Sequence, residues 1–79
     1  MAAKSKNIVG ERVKQARLKH KPPLTQDELS GRLSRLGVSI DRAGIAKIET
    51  GIRRVVDYEL KVLAKVLDVS VDWLLGAKE

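Results

Sequence analysis

A helix-start signature occurs three times in this 79-residue chain, and it limits the possible fold more than any other feature. Each copy has an aliphatic residue, then Thr, Asp or Ser, and then a second aliphatic residue four positions after the polar one. The polar side chain caps a helix N-terminus, and the two aliphatic side chains pack together as a hydrophobic staple. The three copies are Leu24-Thr25 with Leu29, Ile40-Asp41 with Ile45, and Val69-Ser70 with Leu74.

Stop signals divide the chain into short helices. The prolines at 22–23 lack a backbone N–H and push the preceding residue out of the α region. Gly37, Gly51 and Gly76 stand where a helix ends in a left-handed residue. Together with the apolar spacing, these signals predict five helices, at about residues 8–20, 25–36, 41–51, 57–67 and 70–76. A strand through residues 38–40 is the alternative to this all-α arrangement, but the run is too short to pair.

The predicted organisation is one compact all-α domain over residues 8–76, preceded by a disordered basic tail at residues 1–7. The sequence has no Phe, no Cys, one Trp and one Tyr. The core must therefore be aliphatic, and no disulfide supports it. In the second helix, Leu29, Leu33 and Leu36 form the expected inward stripe.

The charge distribution favours a polyanionic partner. The net charge is +6; residues 1–24 hold seven basic residues and one Glu, whereas residues 57–79 hold five acidic and three basic residues. Charge alone is explained equally well by a solvated basic surface. No metal-ligand spacing, glycine-rich phosphate loop or Ser/His/Asp grouping occurs, so we expect no enzyme activity, cofactor or metal. We also expect no membrane span, no secretion signal and a cytoplasmic location.

The third helix has two different faces. Ile45 and Ile48 lie three apart and mark a buried stripe. The opposite face is narrow and basic at its start, and a helix of that shape fits a DNA major groove. The residues of that face are Arg42, Ala43, Ala46 and Lys47. Two capped helices in tandem, the second with this face, fit a helix-turn-helix motif.

Three segments occur in order along the chain: Thr25-Gln26-Asp27-Glu28-Leu29-Ser30, Ile45-Ala46-Lys47-Ile48-Glu49-Thr50-Gly51, and Leu63 to Leu75. Together they resemble the Cro/C1-type (XRE-like) helix-turn-helix family, which includes lambdoid phage repressors and many bacterial regulators. The resemblance covers roughly residues 9–75. It implies a compact five-helix, lambda-repressor-like fold with the helix-turn-helix at the second and third helices. It also implies sequence-specific binding of double-stranded DNA, usually as a homodimer on a palindromic operator.

The resemblance also implies roles for individual residues. Positions that read base edges correspond to Arg42, Ala43 and Lys47, with Gly44 and Ala46 beside them. Positions that bind DNA phosphates correspond to Thr25, Gln26, Arg53 and Arg54. Arg17 and Glu49 match a largely buried salt bridge that ties the first helix to the recognition helix.

The sequence departs from the family pattern in three places. The segment between Leu33 and Ile45 is about five residues longer than the compact motif, which we interpret as one extra turn of the second helix and a longer connection. The prolines at 22–23 lengthen the connection before that helix. Ala43 and Gly44 are small residues at positions where many family members have polar ones. DNA shape and a thymine-methyl contact would then carry part of any specificity.

The short fifth helix is the candidate dimer surface, through Trp73, Leu74 and Leu75, although Trp73 fits the core equally well. The leading hypothesis is a repressor-like transcriptional regulator that binds operator DNA, with no small-molecule ligand. The rival is an antitoxin or another protein-interaction module with the same fold. The basic residues of the first and third helices favour DNA, since a pure protein binder has no need of them.

Overall fold

The structure, a computed structural model, describes residues 5–77. Five α-helices occur in that span: α1 Gly10–Lys19, α2 Gln26–Arg35, α3 Arg42–Glu49, α4 Asp57–Leu67 and α5 Val71–Leu74. The described residues contain no strand, so the all-α, five-helix prediction is confirmed. None of these helices combines the length and the apolar character that a membrane crossing requires.

The three helix-start signatures act as the sequence predicts. Thr25 Oγ1 accepts a hydrogen bond from the Glu28 amide at 3.0 Å, and the Glu28 carboxylate accepts one from the Thr25 amide at 2.7 Å. Asp41 Oδ1 accepts from the Gly44 amide at 2.8 Å. Ser70 Oγ accepts from the amide of the third residue of α5 at 2.9 Å. These bonds satisfy amides that a helix start leaves without a partner.

The core is aliphatic, and α3 lies against both α1 and α2. The largest fully buried side chains are Leu29, Leu33, Ile45, Ile48, Leu63, Leu74 and Val13. Leu36, by contrast, is 46% exposed. Its predicted place in the inward stripe is wrong because α2 ends at Arg35 and the chain then turns through Gly37, whose φ is +86°. The stripe of α2 therefore ends at Leu33.

The long connection between α2 and α3 is fixed to the core. Val38 and Ile40 are each 4% exposed, so the segment is anchored by two buried side chains. Its backbone is held as well, because Ser30 Oγ donates to the Ile40 carbonyl at 2.6 Å and the Val38 amide donates to the Leu33 carbonyl at 3.0 Å. The extra length thus forms a packed turn that sets where α3 begins.

Part of the predicted tail is attached to the domain. Residues 1–4 lie outside the described residues, but residues 5–7 contact the end of α3 and the segment after it. The Lys6 amide donates to the Gly51 carbonyl at 2.8 Å. Asn7 Nδ2 donates to the carbonyls of Ile48 at 3.0 Å and Arg53 at 2.8 Å. These hydrogen bonds link this part of the chain to α3 and to the segment that follows it.

Candidate nucleic-acid interface

From its first residue onward, α3 presents small and basic residues on one face at the protein surface. Arg42, Ala43 and Lys47 are exposed, and Gly44 and Ala46 are partly exposed. The side chain of Arg42 is 69% exposed, and its Nη1 lies 3.7 Å from a carboxylate oxygen of an equally exposed aspartate in α2. An exposed pair of this kind holds a side chain only weakly. The five candidate base-reading residues therefore share one accessible face of α3.

The other end of α3 is fixed by a buried ion pair. Arg17 Nε donates to Glu49 Oε2 at 2.7 Å, and Arg17 Nη2 donates to Glu49 Oε1 at 3.1 Å. The two side chains are only 9% and 4% exposed. Arg17 Nη1 also donates to the Leu24 carbonyl at 2.9 Å. This bidentate pair joins α1 to α3 and to the chain just before α2, as the family resemblance implies.

Gln26 belongs to the same cluster. Its Nε2 donates to Glu49 Oε1 at 3.1 Å, so the first residue of α2 is bonded to the last residue of α3. The resemblance assigned Gln26 to a DNA phosphate, and the structure gives it this partner within the domain while leaving its side chain partly exposed. The contact couples the two helices of the helix-turn-helix directly.

The start of α2 is accessible to solvent, and the positive end of its helix dipole favours anions. Thr25 is exposed, and its hydroxyl oxygen already accepts the capping hydrogen bond. The backbone amide of Thr25, and next its hydroxyl, lower the pKa of the Glu28 carboxyl. The first turn of a helix also carries partial positive charge. This partial charge would attract a DNA phosphate near Thr25 and Gln26, whereas the carboxylates of the same turn would repel it.

The two arginines between α3 and α4 have different surroundings. Arg53 forms a bidentate pair with Glu59, with both Nη–Oε distances at 3.0 Å. This pair lowers the pKa of the Glu59 carboxyl and raises the pKa of the Arg53 guanidinium. Arg54 is exposed. The resemblance assigns both arginines to phosphates. Of the two, only Arg54 is exposed and forms no ion pair with any residue that the structure describes.

The candidate dimer residues do not share one environment. Leu74 is 0% exposed and belongs to the core, so its predicted place on a dimer surface is wrong: the cap at Ser70 turns this side of α5 toward α1 and α4. Trp73 packs partly against the core, and the Arg12 guanidinium carbon lies 4.6 Å from the centroid of its ring. Leu75 is 44% exposed. Only part of the predicted surface is therefore accessible.

Two residues that organise this region were missed by the sequence analysis. Asn7 Oδ1 accepts hydrogen bonds from the amides of Val9 at 3.0 Å and Gly10 at 2.8 Å, so Asn7 holds the start of α1. An Asn shortly before a helix is a recognised capping signal. Glu59 Oε1 accepts from the Val56 amide at 3.1 Å. An acidic residue in the first turn of the fourth helix was available as the corresponding signal.

The fold and this surface define the class of protein. It is a helical domain in which two successive helices, α2 and α3, are bonded to each other, and α3 presents an accessible basic face. A helix-turn-helix family model matches residues 13–74, which is most of the chain. The chain belongs to the Cro/C1-type helix-turn-helix (XRE) family of DNA-binding regulators, so the resemblance is confirmed. No individual curated protein or solved structure matches it.

Proposed function

We propose that the protein is a repressor-like transcriptional regulator that binds a palindromic operator as a homodimer. The observation that carries this proposal is the contrast within α3, which presents an accessible basic face while its last residue is fixed by the Arg17–Glu49 pair. Family membership supports the DNA-binding role. In a helix-turn-helix, the second helix lies in the major groove and its first residues contact base edges. A regulator of this kind acts in the cytoplasm, where bacterial or phage DNA lies.

Base reading would fall on two long donors and three small residues. Arg42 is the candidate for a bidentate contact to guanine, the commonest specific contact in the major groove, and Lys47 is the second donor. The Ala43 methyl is suited to a thymine methyl, and the small side of Gly44 and Ala46 allows close approach to the bases. Few donors reach the groove, so sequence-dependent DNA shape would supply part of the specificity.

Phosphate contacts would position the domain on the duplex. Thr25 and Gln26 lie at the N-terminus of α2, where backbone amides and the helix dipole attract anions. Arg54 supplies an exposed guanidinium in the α3–α4 loop. Such contacts set affinity and salt dependence and carry no direct sequence information.

A homodimer would place two copies of α3 in major-groove segments about 34 Å apart. The candidate contact surface consists of the partly exposed Trp73 in α5 and the exposed Leu75 that follows this helix. The chain from residue 57 onward is net acidic, so this end would not compete for DNA phosphates.

The test is selection of bound sequences from random DNA, followed by gel-shift titrations of the selected site at rising salt. Arg42→Ala should lose about 1–3 kcal/mol of binding to the preferred site and relax the preference at one base pair. Lys61→Ala, an exposed basic residue of α4 on the acidic part of the chain, is the matched control and should keep the preference.

Absence of a shifted band for any selected or genomic fragment at low salt would contradict the proposal. A tight complex with another protein under those conditions would support the antitoxin or protein-interaction role instead. Size-exclusion chromatography with light scattering, with and without the selected site, measures the dimer part of the proposal separately. A single protomer on the palindromic site would contradict that part.

A further inference from the structure

The loop between α3 and α4 carries two adjacent arginines with opposite roles in the structure. The Arg53 guanidinium lies against Glu59, and the two side chains are 31% and 9% exposed. Taking Arg53 away would leave a nearly buried carboxylate without its partner, which is unfavourable. Arg54 makes no hydrogen bond or ion pair with its side chain to any residue between 5 and 77. Of the two adjacent arginines, Arg53 is therefore bound within the domain, whereas the Arg54 guanidinium is accessible to a ligand.

The backbone on both sides of Arg54 is held by side chains. The carbonyl of Arg53 accepts from Asn7 Nδ2 at 2.8 Å, and the carbonyl of Arg54 accepts from Arg53 Nη1 at 2.8 Å. These two carbonyls belong to the two peptide planes that flank the Arg54 Cα. Because the relative orientation of the two planes sets φ and ψ of Arg54, the bonds also set the direction in which its side chain leaves the backbone.

The same network connects the loop to both neighbouring helices. Glu59 accepts from the Val56 amide at 3.1 Å as well as from Arg53, so the loop is bound to the first turn of α4. Arg53 Nε lies 3.8 Å from the point that a Cβ on Gly44 would occupy, so its side chain passes close to the first turn of α3. The loop is thus held relative to the base-reading face.

We propose that Arg53 is a positioning residue and that Arg54 is the phosphate-binding side chain of the loop. Arg53 is held by Glu59, and together with Asn7 it fixes the backbone from which the Arg54 side chain projects. The inference rests on the proposed DNA-binding function and goes beyond it by separating the roles of two adjacent cations. A planar guanidinium is required for this role, because only the fork of Arg bonds both carboxylate oxygens and the Arg54 carbonyl at once.

The experiment compares two charge-conserving variants, Arg53→Lys and Arg54→Lys, in gel-shift titrations of the selected site. Lys binds phosphate as a point charge, so Arg54→Lys should keep affinity within about threefold. Arg53→Lys should weaken affinity about tenfold, similar to Arg54→Ala, because the clamp is lost although the charge remains. Arg54→Ala and Arg53→Lys should each lower the slope of log affinity against log salt by about one.

A double variant shows whether Arg53 acts through Arg54. Adding Arg54→Ala to Arg53→Lys should weaken binding less than about twofold further, since the second change removes a contact that is already lost. Multiplication of the two single effects would overturn the inference, as would an Arg53→Lys variant that binds as tightly as the unaltered chain. Failure of the unaltered chain to bind DNA would overturn the proposed function, and the inference with it.

A second pair of variants covers the case in which Arg53→Lys unfolds. Circular dichroism and urea titration give the folded fraction of each variant. Glu59→Gln removes the clamp from the other side, and Asp57→Asn removes an equal charge from the same helical turn. Among residues 5–77, the Asp57 side chain bonds only the neighbouring Tyr58 amide. Loss of affinity in Glu59→Gln alone supports the inference. Tighter binding with a steeper salt slope would show that Arg53 is a phosphate ligand masked by Glu59, and would overturn it.

Discussion

The two ends of α3 differ in almost every physical respect. At its last residue, Glu49 accepts three hydrogen bonds from Arg17 and Gln26 within 3.1 Å, and its side chain is 4% exposed. At its first residue, Arg42 is 69% exposed and has one distant acidic neighbour at 3.7 Å. The sequence assigns charged residues to both ends, so charge alone does not distinguish them. Burial and the number of bonds do.

This difference separates two roles within one short helix, namely holding the helix in place and reading DNA base edges. A side chain that reads base edges must be free to exchange water for DNA, whereas the helix that carries it must not move. In α3 the buried ion pair lies at the last residue, Glu49, and the side chains of the outward face, from Arg42 to Lys47, are left accessible. Changes at the fixed end should therefore alter stability, and changes at the accessible end should alter DNA recognition alone.

The largest effect is expected at the fixed end, from Arg17→Met. Of the side-chain partners that the described residues give the buried Glu49 carboxylate, the substitution leaves Gln26 alone. Breaking a buried pair in this way costs about 3–5 kcal/mol. A domain of this size has a total unfolding free energy of the same order, so much of the protein should unfold. Urea titration followed by circular dichroism measures the loss.

Two further variants test the cause of that loss. Arg35→Met, at an exposed position of α2, should change the unfolding free energy by less than about 0.5 kcal/mol. Combining Arg17→Met with Glu49→Met should recover part of the loss, because no unpaired charge then remains in the interior. A loss below about 1 kcal/mol for Arg17→Met alone would show that the pair does not hold α3.

The next effect concerns the contact between α1 and the fixed end. A Cβ on Gly10 would overlap the Ile48 carbonyl oxygen and lie 3.0 Å from the Glu49 carbonyl oxygen. Gly10→Ala should therefore push the two helices apart and cost about 1–3 kcal/mol. Gly31→Ala, in the middle of α2, is the matched control. Apart from its chain neighbours and the backbone of its own helix, no described atom lies within 4 Å of its Cβ position.

The control should change stability in the opposite direction. Alanine is favoured over glycine in a helix interior by about 1 kcal/mol, so Gly31→Ala should raise the thermal unfolding midpoint. If Gly10→Ala raised the midpoint as well, the close approach of α1 to the end of α3 would not limit the fold. Differential scanning calorimetry of the two variants decides between these outcomes.

A smaller, pH-dependent effect is expected at the loop that follows α3. The pKa of Glu59 is lowered in the folded state by its hydrogen bonds with Arg53 and, less, with the Val56 amide. Its ionised form thus stabilises the fold above the ordinary pKa of 4.5, and this contribution is lost as pH falls through the lower, folded-state pKa. Glu59→Gln should therefore be less stable than the unaltered chain at neutral pH, and the gap should narrow in acid.

Urea titrations at pH 7 and pH 3, at one ionic strength, measure the gap between these two proteins. Glu28 has a pKa shift of the same sign, mainly from the Thr25 amide, and it is present in both. Both proteins should consequently lose some stability in acid, and only the difference between them reports on Glu59. A gap that stays constant with pH would show that the bond to Arg53 adds nothing through the charge of Glu59.

The features of the fold that depend on local sequence patterns, such as helix caps, were predictable from the sequence. Thr25, Asp41 and Ser70 were predicted as caps from residues a few positions apart, and all three accept the expected bonds. Leu36 was misplaced because the pattern continues a helical period after the helix itself ends at Arg35. The sequence places the turn at Gly37 correctly, but periodicity alone does not show whether the last side chain before that turn is buried, and tertiary packing decides it.

The remaining site contacts join residues far apart in the chain. Asn7 bonds to carbonyls more than forty positions away, and no spacing rule reports such a pair. Leu74 is the last residue of a four-residue helix and Leu75 is the residue that follows it, so a one-residue error exchanges a core position for a surface one. The Arg17 and Glu49 pair was reached only through the family resemblance, because thirty-two positions separate its members.

The smallest stability effect is expected at the accessible end, from Arg42→Ala. An exposed pair at 3.7 Å contributes little, and a cation at a helix start is slightly unfavourable. Alanine should therefore leave the unfolding free energy within about 0.5 kcal/mol of the original value, as urea titration would show. The same variant should lose base preference in the gel-shift assay. A large loss of stability would mean that Arg42 helps to hold α3, and the separation of holding from reading along this helix would then be wrong.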